Sequence, residues 1–185
     1  MTRNSDRVRL LALADVPATP WRNGKGVTRE LIAWPDADAW TLRFSVADIE
    51  NDGPFSPWPG VVRDFCVLEG AGVVLSWDDG RKERLTRGRE PLRFDGGDAP
   101  WAQLIEGPTR DLNLMTRDKL DARLQAADHR ARSRPWACFA AERGRMTLDG
   151  TASFDVPPLT LVWFGDPPRS AAFDHRGWWI VRGAA

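Results

Sequence analysis

GVVRDFCVLEGAGVVLSWDDGRKERLTRGREPLRFDGG, residues 60–97, decides the fold class. Its apolar residues come in short runs and not at the spacing of a helix face. One run carries Arg63 and Phe65 into Leu68-Glu69-Gly70-Ala71-Gly72. A second, Val73–Trp77, ends on Asp78-Asp79-Gly80, a turn that suits a hairpin. Leu85 follows, and Leu92–Gly97 closes the stretch on a glycine corner. Glycine fits such corners because it tolerates positive φ and close backbone approach. The whole stretch predicts antiparallel β structure.

The same rhythm extends in both directions. Gly (16) and Pro (14) punctuate the chain at short intervals, which leaves room for strands but not for long helices. In the first half, candidate strands are Thr28–Trp34, Trp40–Ala47, Val62–Leu68, Val73–Trp77, Leu92–Phe94, Ala102–Glu106 and Asp111–Arg117. In the second they are Leu120–Ala127, Trp136–Ala141, Met146–Leu148, Ser153–Val156, Leu159–Phe164 and Trp178–Arg182. Many short strands with Gly/Pro turns predict a sandwich or barrel. Residues 118–133 are ambiguous. Ala, Leu, Gln and Arg favour a short helix there, while Leu120, Ala122 and Leu124 alternate as in a strand followed by a loop. The strand-then-loop reading is preferred.

Composition removes several classes of function. With 185 residues the chain fits one domain or two small intimate halves. Lys plus Arg and Asp plus Glu are 26 each, so no excess positive charge favours nucleic acid. The early apolar run Leu10–Ala14 is shorter than the roughly 7–15 apolar residues of a secretory signal. No run approaches the ~18 residues of a membrane helix. The expectation is a cytoplasmic protein that binds neither membrane nor nucleic acid. Cys66 and Cys138 stand far apart without a CxxC pattern and read as buried apolar residues. His129 and His175 have no metal-ligand spacing, so no metal and no cofactor is expected. Ten Trp and no Tyr fit half-buried strands as well as they fit ligand stacking.

Five motifs flank and include the opening stretch, in order. They are Pro20-Trp21-Arg22-Asn23-Gly24-Lys25-Gly26-Val27-Thr28-Arg29-Glu30, Arg43-x-Ser45-x-Ala47-x-Ile49, Gly53-Pro54-Phe55-Ser56-x-x-Pro59-Gly60-x-x-Arg63, Leu68-x-Gly70-x-Gly72 and Asp111-x-Asn113-x-Met115. This series, over about residues 20–117, resembles the HutD/Ves family, which is associated with bacterial histidine utilisation. Lys25 departs from the small residue, often Gly, of the family's loop. The order strand, Leu-x-Gly-x-Gly turn, hairpin and glycine corner is also that of a cupin barrel. The resemblance implies an all-β, RmlC-like bicupin built of cupin-type double-stranded β-barrels in tandem, the second degenerate. The first barrel would span 1–117 and hold the ligand pocket. The second would span 118–185 and pack intimately with the first as one structural unit, with exchange of terminal strands left open. Metal cupins carry three His and a carboxylate on inward positions, and no His precedes residue 129.

Strand alternation locates the pocket. Residues i and i+2 share a face, so Thr28 goes with Glu30, Arg43 with Ser45 and Ala47, Arg63 with Phe65, and Asp111 with Asn113 and Met115. The opposite positions Leu31, Leu42, Phe44, Val46, Leu112 and Leu114 read as core between sheets or barrels. Arg43 and Arg63 offer planar forks for a carboxylate. Ser45 and Asn113 donate and accept. Glu30 or Asp111 either orients an arginine or receives a cationic imidazole or formimino group. Phe55, Met115 and Trp21 supply apolar walls. Each residue also has an ordinary structural reading. Strand arginines usually face water, Thr28, Ser45 and Ser56 can satisfy turns, and Asn23 can be a plain turn residue.

Two functions compete. The resemblance implies a non-enzymatic regulator of histidine utilisation that binds a carboxylate-bearing intermediate such as urocanate or formylated or formiminated glutamate. The alternative is a metal-free cupin isomerase or lyase with Glu30 or Asp111 as general base. Carboxylates beside arginines are held ionised and make poor bases at neutral pH, so binding is preferred to catalysis. The expected partner is a small carboxylate, and a homodimer is compatible with the sequence.

Overall fold

The computed structural model describes residues 8–127, 129–131 and 134–182. These residues are all-β, with short 3-10 turns at Leu13–Asp15 and Gly96–Asp98. The chain enters through β1 (Val8–Ala12), β2 (Thr19–Pro20), β3 (Gly26–Trp34), β4 (Leu42–Ile49) and β5 (Gly53–Pro54). It continues through β6 (Val62–Glu69), β7 (Val73–Ser76), β8 (Lys82–Leu85), β9 (Leu92–Asp95), β10 (Trp101–Leu104) and β11 (Thr109–Thr116). The remainder holds β12 (Ala122–Ala126), β13 (His129–Arg130), β14 (Pro135–Ala140), β15 (Gly144–Leu148), β16 (Ala152–Val156), β17 (Thr160–Phe164), β18 (Ala171–Phe173) and β19 (Gly177–Arg182).

The strands form two compact units, Pro17–Leu120 and the combination of Met1–Val16 with Asp121–Ala185. The N-terminal segment belongs with the second half because β1 pairs antiparallel with β17, from Val8↔Phe164 to Ala12↔Thr160. The division read from the sequence at 117/118 therefore differs at the N-terminus. The apolar run Leu10–Ala14 supplies part of this strand.

In Pro17–Leu120 a six-stranded sheet, β2-β3-β4-β11-β6-β9, faces a four-stranded sheet, β5-β10-β7-β8. Ile49, Phe65 and Val67 from the first meet Val73, Leu75, Leu85 and Ala102 from the second. Phe65, Val73 and Leu75 are fully buried, each worth about 1.5–3 kcal/mol in removal from water. The Leu-x-Gly-x-Gly turn requires its last glycine. Gly72 has φ +116, and a Cβ there would lie 2.1 Å from the Leu85 carbonyl oxygen. The other faces of β4 and β11 are buried too, through Leu42, Phe44, Val46, Leu112 and Leu114. These central strands thus carry polar residues on one buried face and, on the other, an apolar core that ends at the Arg110–Asp48 pair.

The second unit repeats the two-sheet plan with β1-β17-β14-β19-β12 and β13-β18-β15-β16. Its interior is apolar. Cys138, Val162, Phe164 and Trp179 pack with Met146, Val156, Ala171 and Phe173. Cys66 and Cys138 are both buried, and burial pushes the Cys138 thiol well above its ordinary pKa. In the ambiguous segment, β12 is a strand with Ala122 and Leu124 buried, and β13 stands where a loop was expected. Strand β8 escaped the sequence reading for a physical reason. It is an edge strand, and of Lys82-Glu83-Arg84-Leu85 only Leu85 is buried. Among the described residues no helix is long and apolar enough to cross a membrane.

Candidate ligand-binding cleft

Strands β4, β11 and β6 are adjacent, and their register fixes which inward side chains meet. Met115 lies opposite both Arg43 and Arg63. One step along, Asn113 lies opposite Ser45 and Phe65; one step further, Asp111 lies opposite Ala47 and Val67. Strand β3 adds Glu30 beside Ser45 and Thr28 beside Ala47, with a bulge between Glu30 and Ile32. Directly paired positions place their Cβ atoms about 4.5–5.5 Å apart. The result is a ladder of polar rows, and it opens on a cleft of about 700 Å³.

Trp21, Asn23, Thr28, Glu30, Arg43, Ser45, Phe55, Arg63, Asn113 and Met115 all line this cleft. Asp111 does not. It shares the inward face but is fully buried one row beyond Asn113, and its Oδ2 accepts from the Thr109 hydroxyl at 2.7 Å. Its Oδ1 is buried without a partner. Burial pushes the Asp111 carboxyl up to about 8, against the Thr109 hydrogen bond and with the charge of Asp48 adding to the rise. The expectation that carboxylates here are held ionised by arginines is therefore corrected for Asp111: it is a neutral acid at neutral pH.

The two arginines differ. Arg63 is 6% exposed, its Nη2 donates to Asn113 Oδ1 at 2.5 Å, and its guanidinium lies 4.7 Å from the Phe55 ring and 5.3 Å from the Phe94 ring. Its Nε is buried without a hydrogen bond. Among the described residues no carboxylate lies within 4.0 Å of it. Burial, helped by the charge of Arg43, lowers Arg63 to about 9, so it stays cationic at neutral pH. A buried charge without a counter-ion is costly, and this cost is the strongest chemical signal in the cleft. Arg43 Nε is likewise buried without a hydrogen bond of good geometry, but Arg43 has a counter-ion, with Glu30 Oε2 at 2.5 Å from that nitrogen.

The loop residues carry structural bonds as well. Trp21 Nε1 donates to Thr28 Oγ1 at 2.7 Å, and Asn23 Oδ1 accepts from the Lys25 amide at 3.0 Å, the turn role open to any asparagine. Lys25, the departure from the family loop, donates through Nζ to the Asp52 carbonyl. Sequence reasoning missed Trp58, which also lines the cleft. Its ring lies 5.5 Å from the Arg43 guanidinium and meets Trp40 edge-on at 6.2 Å. It occupies an unassigned position of the Gly53–Arg63 motif, and the nearby Pro59-Gly60 turn was the available cue. Among the described residues no three His, Cys, Asp or Glu side chains are grouped to hold a metal ion.

The HutD family model matches residues 13–167. Protein Ves of Citrobacter koseri is 40% identical over 116 residues, which cover 61% of this chain and 60% of that protein. The chain thus spans about 60% of the length of this curated relative. An uncharacterized 21.2 kDa protein from the hutC 3' region of Pseudomonas putida is 35% identical over 129 residues, covering 68% of this chain and 67% of the relative. The solved structure of HutD from Pseudomonas fluorescens SBW25 superposes with a TM-score of 0.81 at 26% identity, over 96% of this chain and 100% of that one. On these grounds the chain belongs to the HutD family.

Proposed function

We propose that this protein is a cytoplasmic, non-enzymatic regulator of histidine utilisation that binds a carboxylate-bearing intermediate in the cleft of Pro17–Leu120. Urocanate and formylated or formiminated glutamate are the ligand candidates. The observation that carries the reading is Arg63, a buried cation with no carboxylate among the described residues, facing a cleft of about 700 Å³. A carboxylate held against this guanidinium from the cleft would supply the missing counter-charge. A charge-assisted bond of this kind contributes about 1.5–3 kcal/mol. Each unit is proposed to be a cupin-type barrel, the chain a bicupin, on the support of the repeated two-sheet plan. The apolar interior of the second unit supports its assignment as degenerate.

One observation favours the alternative of a metal-free isomerase or lyase. Asp111, near 8, exchanges protons around neutral pH as a general acid or base must. Its position outside the cleft lining counts against direct contact with a substrate. Calorimetry with histidine-pathway intermediates, followed by product analysis of the same mixtures, separates the two. Binding without conversion supports the regulator, and turnover that Asp111→Asn abolishes supports the enzyme. Arg63→Lys is expected to bind about ten- to a hundredfold more weakly than wild type, because a point ammonium does not reproduce the planar fork. Unchanged affinity in a folded Arg63→Lys protein would remove the anchor.

A further inference from the structure

The charged groups lining the cleft are three arginines and a single carboxylate, Glu30. Arg22 is exposed at the rim, where water screens it. Arg43 is already neutralised by Glu30, whose side chain is 36% exposed. Arg63 is left as the deep uncompensated cation. We propose that Glu30 sets the charge selectivity of the cleft, so that the ligand is a monoanion with one carboxylate for Arg63 and an uncharged N–H-bearing end for Glu30. This rests on Arg63 being the carboxylate anchor.

The physical argument is one of local neutrality. A dianion entering the cleft brings one negative charge that Arg63 balances and a second that meets Glu30. To seat the second carboxylate on Arg43, the ligand must displace Glu30 and leave that side chain without its counter-ion. A monoanion leaves the Glu30–Arg43 pair intact. Glu30 engages Arg43 through Oε2, and Oε1 remains available to accept from an amide, amidine or imidazole N–H. Ser45 and Asn113 continue the Glu30 row across the sheet, next to the row that holds Arg63, and add neutral donors and acceptors along the path. Like charges a few ångströms apart at a partly buried site change affinity by about ten- to a hundredfold.

The test uses a matched pair, glutarate and glutaramate, which differ by one carboxylate replaced with an amide. Both are titrated at pH 7.5 by calorimetry, with ligand-observed NMR extending to millimolar affinities. Wild type is expected to bind glutaramate at least about tenfold more tightly than glutarate. Glu30→Gln is expected to abolish or reverse that ratio, because Arg43 is freed to take the second carboxylate. Arg63→Met is expected to lose both ligands. Wild type preferring glutarate, or a folded Glu30→Gln keeping the wild-type ratio, overturns the proposal while leaving the anchor intact. Failure of both compounds to bind, or retention of both by Arg63→Met, overturns the anchor itself.

Discussion

Arg63→Met is expected to make the unliganded protein more stable while removing its affinity for carboxylates. The magnitude follows from the site. Burial, with Arg43 adding, brings the guanidinium from 12.5 to about 9. At about 1.36 kcal/mol per unit, that is a penalty near 5 kcal/mol on holding the charge inside. The bond to Asn113 Oδ1 returns about 1.5–3 kcal/mol, and the faces of Phe55 and Phe94 return roughly 1 kcal/mol more. Methionine keeps the contact with both rings and carries no charge. The net expectation is a gain of about 1–2 kcal/mol, or a rise in Tm of roughly 2–8 °C for a chain of this size. Differential scanning calorimetry on wild type and variant, with carboxylate titration of each, measures both halves. A fall in Tm of several degrees would mean that the guanidinium is compensated in the free protein. A stabilised variant that still binds carboxylates as wild type does would place the anchor elsewhere.

Asp111 gives the stability a pH slope. Its folded value of about 8 lies above the ordinary 3.8, so its contribution is complete below 3.8 and is lost as pH rises towards 8. Asp111→Asn is therefore expected to raise Tm at pH 7.5 and flatten the profile between pH 4 and 8; a profile unchanged by the substitution would count against a buried neutral acid. Asp48 slopes the other way. Although burial acts to raise it, hydrogen bonds from Arg110 and Arg29 hold it below 3.8, so its contribution is present at neutral pH and disappears as pH falls through that lowered value. Urea denaturation of Asp48→Asn at pH 7 is expected to show a loss of about 1–2 kcal/mol, and no loss at all would mean the surface network is energetically silent. Gly72→Ala is expected to cost more than about 2 kcal/mol, whereas Gly80→Ala should cost only about 1 kcal/mol. Both have positive φ, but a Cβ at Gly80 meets nothing within 4 Å. Equal losses in thermal melts would show that backbone conformation alone decides.

The fold was legible where strands alternate and turns carry Gly or Asp-Gly, and so was the cleft. Arg43 shares a face with Ser45, and Asn113 with Met115, by period alone; the pairing of β4 with β11 brings the two faces together. Three things were not legible. The pairing of β1 with β17 joins residues about 150 positions apart, and no local pattern announces a partner at that distance. The burial of Asp111 depends on its being one row deeper than Asn113, a difference that alternation cannot express. The unequal state of Arg43 and Arg63 depends on which of them Glu30 reaches, and that is set by strand order, which puts β3 beside β4 and keeps β4 and β11 between it and β6.

The ladder also determines what kind of genetic change the protein tolerates. In β11 the residues Asn113 and Met115 face the cleft, while Leu112 and Leu114 are buried on the reverse side. A single codon inserted or deleted inside this strand would leave its composition and hydropathy almost untouched. It would nevertheless exchange the two faces, turning the leucines towards the arginines and carrying Asn113 away from Arg63. Point substitutions along β11 can be absorbed one at a time, but a shift of frame within the strand cannot. Homologues that keep this cleft should therefore vary in length in their loops and hold the residue count of β11 constant.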